Sequence, residues 1–191
     1  ASPRPLGISD PILERCRPAS PLRTDPNEAG AYVMNLISRI LPPSNVLLDL
    51  EVTSKKRVFE QIGLLFENNH GIARSVVFDS LFARERLGST GLGQGVAVPH
   101  GRIKGLTDAV AAFVRLSQPI NFDAPDGKPV SLLVVLLCPE QATQVHLEIL
   151  SELAQMLSNR ALREALATEP SASAIHSLLT HWEPAQFNAE A

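Results

Sequence analysis

A chain of 191 residues with 45% hydrophobic content and a net charge of −3 has the size and balance of one globular core, with no second full domain. That charge gives no basic surface on the scale nucleic-acid binding needs, so that partner is disfavoured. The longest apolar run, Val130 to Cys138 broken by Ser131, is far too short to span a bilayer, which argues against direct membrane insertion.

Two cysteines, Cys16 and Cys138, make no disulfide framework, and Cys138 at the end of an apolar run reads as a buried thiol. With no basic start followed by an apolar h-region, the expected location is the cytoplasm. Residues 1–33 hold six of the 15 prolines and show no periodicity, which predicts a flexible N-terminal extension. Met34 opens the patterned region, and the expectation is that translation starts there and that the arm is a gene-model extension; a partner-binding tail is the alternative.

Asn35 to Leu41 is expected as a short helix stopped by Pro42-Pro43, and Val46 to Leu50 as a short strand. Ser54 is the expected N-cap of an amphipathic helix, Lys55 to Asn68, with Val58, Ile62, Leu65 and Phe66 on one face. Lys55, Lys56 and Arg57 oppose the macrodipole in its first turn and read as solvated charges; His70-Gly71 closes it. A second helix is expected over Ser75 to Arg86, its end carrying Arg84 and Arg86, where cations suit the helix C-terminus.

The stretch Gly91-Leu-Gly-Gln-Gly-Val-Ala-Val-Pro-His100-Gly-Arg102 is the chemically informative one. Its glycines admit positive φ and close backbone approach, Val96 to Val98 read as a strand, and Pro99 ends it for want of an N–H. His100 therefore stands where a strand runs out, beside glycine N–H groups and arginines, a setting suited to a phosphorylatable imidazole. On the residues alone, a Gly-rich turn feeding a strand with His100 on the surface fits equally well. The spacing matches neither the dinucleotide fingerprint nor the P-loop.

Ala109 to Leu116 and Val130 to Cys138 are expected as central strands around a polar loop, Asn121 to Pro129. Thr143 should cap a long helix, Gln144 to Leu157, with Val145, Ile149, Leu150, Leu153 and Leu157 as its apolar stripe. His146 falls on that side and in the first turn, where free N–H groups favour an anion, although a lone His on an apolar face is often a core residue. Asn159 and Ser171 are expected to cap Arg160 to Ala167 and Ala172 to Leu179. His176 and His181 read as surface residues, and the tail from Glu183 as frayed. The element order argues for a single α/β (α+β) domain, one mixed sheet covered by helices.

The segment Ser89 to Arg102, "STGLGQGVAVPHGR", resembles the active-site signature of the type-2 (mannitol/fructose-type) IIA proteins of the bacterial phosphoenolpyruvate-dependent phosphotransferase system. Thr53 to Ile62, Ala83 to Gly91 and Asn121 to Pro139 are similar to the nitrogen-regulatory branch in particular, and the likeness runs from about Met34 to the last helix, 34–182. The resemblance implies a mixed sheet of about five strands between helical layers. It also implies a phosphohistidine formed on His100, with His146 as the second active-site histidine and Arg84 as the active-site arginine. Ser89, Thr90 and the backbone at Gly91 would then donate to the phosphoryl group, and Arg102 would serve docking or solvation. The partners it implies are an HPr-like nitrogen-branch phosphocarrier and regulatory or transport proteins as targets; no cofactor or metal is implied. Three rivals stand beside it: a sugar-specific IIA passing phosphate to a IIB domain, a non-catalytic binding regulator, and a metal hydrolase using His100, His146 and Glu148. The last fits no compact metal motif.

Overall fold

A computed structural model describes residues 35–141 and 143–183 of the chain. The proposed extension 1–33, the start at Met34, Cys16 and the tail beyond Glu183 lie outside the described residues. The order is β1 (Val46–Leu50), α1 (Lys55–His70), α2 (Arg74–Arg86), β2 (Gly91–Gly93), β3 (Val96–Ala97), β4 (His100–Ile103), β5 (Val110–Ile120), β6 (Val130–Pro139), α3 (Gln144–Ser158), α4 (Arg160–Thr168) and α5 (Ala172–Thr180).

The sheet runs β1-β5-β6-β3-β2, with β4 following β3 along the same edge of β6. β1 lies parallel to β5, β5 antiparallel to β6, and both β3 and β4 parallel to β6. The two long strands are apolar where they pair most closely, Val110–Val114 and Leu132–Cys138, because both faces of the sheet are covered there. In β6, Leu132, Val134, Leu136 and Cys138 face a core shared with α3, α4 and α5. Leu133, Val135 and Leu137 face the other core, built with α1 and α2 around Phe59, Ile62, Phe66, Val77 and Leu81. Cys138 is buried, and desolvation pushes its thiol up to about 11, so it is unreactive.

The caps follow from local chemistry. Ser54 Oγ accepts the Arg57 N–H, Asn159 Oδ1 that of Leu162, and Ser171 Oγ that of Ala174. Gly71, at φ 68°, ends α1 in the left-handed conformation that glycine adopts without a Cβ penalty.

Several expectations need correction. The short helix expected over Asn35 to Leu41 is present but shorter, a 3-10 helix over Leu36–Arg39 capped by Asn35. β5 continues past Leu116 to Ile120, across a register shift after Arg115. Val145 lies on the exposed side of α3 rather than in the apolar stripe. His176 is half-buried, bonding the Leu41 carbonyl at 2.8 Å and tying α5 to the segment before β1.

Arg115, buried in β5, is partnered on all sides. It donates to the Leu166 and Glu169 carbonyls at 3.0 and 2.6 Å and to Asp49 Oδ1 at 3.1 Å, which satisfies the C-terminal turn of α4 from inside the sheet.

The packing of α2 on β4 sets the site described below. Gly101 lies against Ser80, and a Cβ there would overlap the Ser80 side chain and press on its backbone. Ser80 Oγ also donates to the Arg102 carbonyl at 2.8 Å. Gly101→Ala should therefore destabilise the protein by about 1–3 kcal/mol. Urea unfolding is the measurement, and Ser80→Gly in the same chain should recover at least half of the loss; an unperturbed Gly101→Ala would contradict the close contact.

Candidate functional site

The segment 96–103, which lies along one side of β6, is interrupted once. Pro99 has no N–H for the ladder, while its carbonyl accepts the Leu136 N–H at 2.9 Å. The chain then re-enters the sheet, so His100 is not where the strand gives out, as expected, but the first residue of β4, paired with Leu136. It is half-buried rather than a surface residue.

Both ring nitrogens of His100 have defined partners. Nδ1 lies 3.0 Å from the Val98 carbonyl oxygen, and Nε2 lies 3.2 Å from Arg84 Nε. A carbonyl oxygen only accepts and a guanidinium only donates. The ring is therefore neutral, with its proton on Nδ1 and its lone pair on Nε2 facing Arg84. Burial is the first cause holding its pKa below the ordinary value of about 6.5, and the Arg84 and Arg102 cations act in the same direction. The bond to the Val98 carbonyl and the charge of Glu85 act against them.

Arg84 reaches His100 from the last turn of α2 and is held by a second bond, Nη1 to the Gly88 carbonyl at 2.9 Å. His100 and Arg84 together form a ridge between two clefts. One, of about 220 Å³, is walled by Ser89, Thr90, Gly91, Leu92 and, from α3, Leu150 and Ala154. The other, of about 740 Å³, runs along α2 past Ser80, Ala83 and the exposed Leu87 to Arg102.

His146 sits at the N-terminus of α3, and its Nδ1 accepts the Thr143 N–H at 3.2 Å. Its proton is thus on Nε2, the opposite tautomer to His100. It is not one of the residues walling the smaller cleft; Leu150 and Ala154, on the same helical face at four and eight residues further on, are. Arg102 is exposed at the rim of the larger cleft.

The donors expected around a phosphoryl group are already engaged. Ser89 Oγ donates to the Phe122 carbonyl at 2.6 Å and accepts the Gly91 N–H at 3.1 Å. Thr90 Oγ1 donates to Glu85 Oε2 at 2.6 Å, and the Thr90 N–H also goes to Glu85. These residues shape the loop and leave the charge at the ridge to Arg84. Gly91 is required by proximity, since a Cβ there would lie 2.9 Å from that of Ala124.

Two residues of the site escaped the sequence reading. Lys55, expected to be solvated, is largely covered; its Nζ bonds Glu85 Oε1 at 2.9 Å and Asp123 Oδ2 at 3.2 Å and lies 4.5 Å from the Phe122 ring centroid. Glu85 is buried. The signals were present: Glu85 continues the buried series Val77, Leu81 at a spacing of four, and a lysine opposing its own helix dipole needs a partner elsewhere.

Comparison with known proteins agrees with this architecture. Residues 39–182 match the family described as phosphoenolpyruvate-dependent sugar phosphotransferase system, EIIA 2. A nitrogen regulatory protein of Pseudomonas aeruginosa is 42% identical over 144 residues, 75% of this chain and 94% of that one. The crystal structure of nitrogen regulatory protein IIA-Ntr from Neisseria meningitidis superposes with a TM-score of 0.73 at 55% identity, covering 76% of this chain and all of that one. A fructose-specific EIIA component of Haloferax volcanii is more distant, 31% identical over 75% of this chain and 94% of that one. With the family's sequence pattern spanning the whole sheet and every element of the ridge, the chain belongs to the type-2 EIIA family of the phosphoenolpyruvate-dependent phosphotransferase system, more similar to these nitrogen regulatory members than to the fructose-specific one.

Proposed function

We propose that this protein is the phosphohistidine phosphoacceptor of a nitrogen-regulatory phosphotransferase system, taking the phosphoryl group on Nε2 of His100. The observation that carries the reading is the pair of bonds that put the His100 proton on Nδ1 and its lone pair against Arg84. The likeness to nitrogen regulatory proteins favours this branch over a sugar-specific IIA component.

The chemistry follows from those contacts. Nε2 attacks phosphorus, the Nε2–P bond forms, and the N–P bond of the donor phosphohistidine breaks. The donor ring leaves as neutral imidazole when its other nitrogen holds a proton. The His100 ring gains positive charge as it bonds to phosphorus, and the Val98 carbonyl on its Nδ1–H stabilises that charge. The loose transition state spreads negative charge over three equatorial oxygens, so positioning and electrostatics are the protein's task. Arg84 releases Nε2 and pairs with those oxygens; its guanidinium already lies at the place the phosphoryl group enters. His146 donates its Nε2–H to the same group from the start of α3. The donor is an HPr-like phosphocarrier in the cytoplasm, and the phosphorylation state of His100 governs binding to regulatory or transport proteins.

His100→Ala should abolish the acid-labile gain of one phosphoryl group seen by intact mass after incubation with phosphoenolpyruvate, enzyme I and the nitrogen-branch carrier. His146→Ala should slow labelling by about 10²-fold without removing it, the scale of losing one donor to developing charge. Labelling that survives His100→Ala would refute the assignment.

The pH profile carries a sign. The neutral nucleophile is present above the folded-state pKa of His100 and is lost as pH falls through it. Because burial and the arginines lower that pKa, the acid limb of the labelling rate should have its midpoint below about 6.5. Arg84→Gln should move the midpoint upward by removing a nearby cation, separately from its effect on the maximal rate. A wild-type midpoint at or above 6.5 would contradict the environment described.

A further inference from the structure

Arg84 and Glu85 are consecutive in the last turn of α2 and point in different directions. Arg84 reaches Nε2 of His100. Glu85 turns inward, where its carboxylate accepts the Thr90 N–H at 3.1 Å, the Thr90 hydroxyl at 2.6 Å and Lys55 Nζ at 2.9 Å. From Thr90 the bonding continues without a gap. The Thr90 carbonyl accepts the Val98 N–H at 3.0 Å, and the Val98 carbonyl accepts the His100 Nδ1–H at 3.0 Å. One residue of the pair therefore ends on each ring nitrogen, Arg84 directly and Glu85 through the backbone of two residues, Thr90 and Val98.

A buried carboxylate is a costly way to close a helix end when an apolar side chain would pack there. The position continues the buried series Val77, Leu81, so an aliphatic residue would extend the core. What the carboxylate adds is direction: two bonds to one residue, Thr90, fix where the Thr90 carbonyl points. Lys55 bonds the same carboxylate at 2.9 Å, and Asp123 holds Lys55 from the far side at 3.2 Å.

We infer that Glu85 is a positioning residue for His100: through Thr90 and Val98 it holds the imidazole in the tautomer and orientation that present Nε2 to the incoming phosphoryl group. The inference rests on His100 being the acceptor in the proposed reaction, but it makes a claim about the unphosphorylated ring that stands without it. The charged groups around that ring are Arg84, Arg102 and Glu85.

The test uses the full-length, unphosphorylated, 15N-labelled protein and two-bond 1H–15N spectra of the His100 imidazole at a pH above its titration. The wild type should show the Nδ1-protonated form. Glu85→Gln, which keeps an acceptor for Thr90 but loses the bond from Lys55, should show a mixture of tautomers. Its labelling rate should fall about tenfold at saturating carrier, with the KM for the carrier unchanged, as for an orienting partner that acts through other groups. Glu85→Asp should recover part of both. If Glu85→Gln does not fold, Thr90→Val, which removes only the hydroxyl bond, should show the same changes to a smaller degree. A wild-type tautomer pattern in the variant, or an Nε2-protonated ring in the wild type, would overturn the inference. A wild-type protein that shows the expected tautomer yet takes no phosphoryl group from a charged carrier would count against the proposed reaction alone.

Discussion

The site depends on the bond between the His100 Nδ1–H and the Val98 carbonyl. An imidazole in water shares its proton between two nitrogens, and a nucleophile needs it on one. A backbone carbonyl two residues earlier can supply that choice only if the chain between them bends. Pro99 makes the bend available, because it withdraws one N–H from the ladder while its carbonyl still pairs with Leu136. β3 and β4 thus run along one side of β6 as a single strand with a fault in it, and the reactive residue is placed immediately after the fault.

The rest of the fold makes that fault affordable. β6 pairs with the faulted strand on one side and with β5 on the other, and its alternating side chains fill both cores. A strand broken at Pro99 therefore remains anchored at Leu132–Leu133 and again from Leu136. α2 packs over β4 at Gly101, and that contact brings the last helical turn, with Arg84 and Glu85, to the level of His100. Backbone approach at Gly101 and side-chain reach at Arg84 are consequences of the same packing.

Much of this was legible in the sequence, and the failures have physical causes. Val46–Leu50 and the caps at Ser54, Asn159 and Ser171 were readable because each is a local pattern with a local mechanism. His100 and Arg84 stood out through the glycine stretch and the family likeness, and the structure joins them by a bond. The same likeness pointed to Ser89, Thr90 and Gly91 as donors, yet their hydrogen bonds are engaged within the loop, a fact that depends on Phe122 and Glu85 from distant segments. The partnership of Lys55 with Glu85 spans 30 residues, and no local pattern reports a pairing at that range. The strand after Pro99 was missed because the missing N–H was read as an end, when the partner strand β6 continues past it.

The contact between Arg84 and His100 also sets how readily the site is loaded. At 3.2 Å the bond from Arg84 Nε to a neutral acceptor is long, and a separate nitrogen of the same guanidinium, Nη1, donates to the Gly88 carbonyl at 2.9 Å. A tighter partner for Nε2 would have to be broken before attack and would raise the barrier by the same amount. A guanidinium that left the ring entirely would have to be ordered when charge develops on phosphorus. The Gly88 carbonyl avoids both, since it holds Arg84 beside the ring while the bond to Nε2 is exchanged for stronger, charge-assisted bonds to the phosphoryl oxygens. In the proposed reaction the gain from that exchange appears as the phosphoryl group arrives, which is where electrostatic preorganisation lowers a barrier rather than merely tightening a resting state.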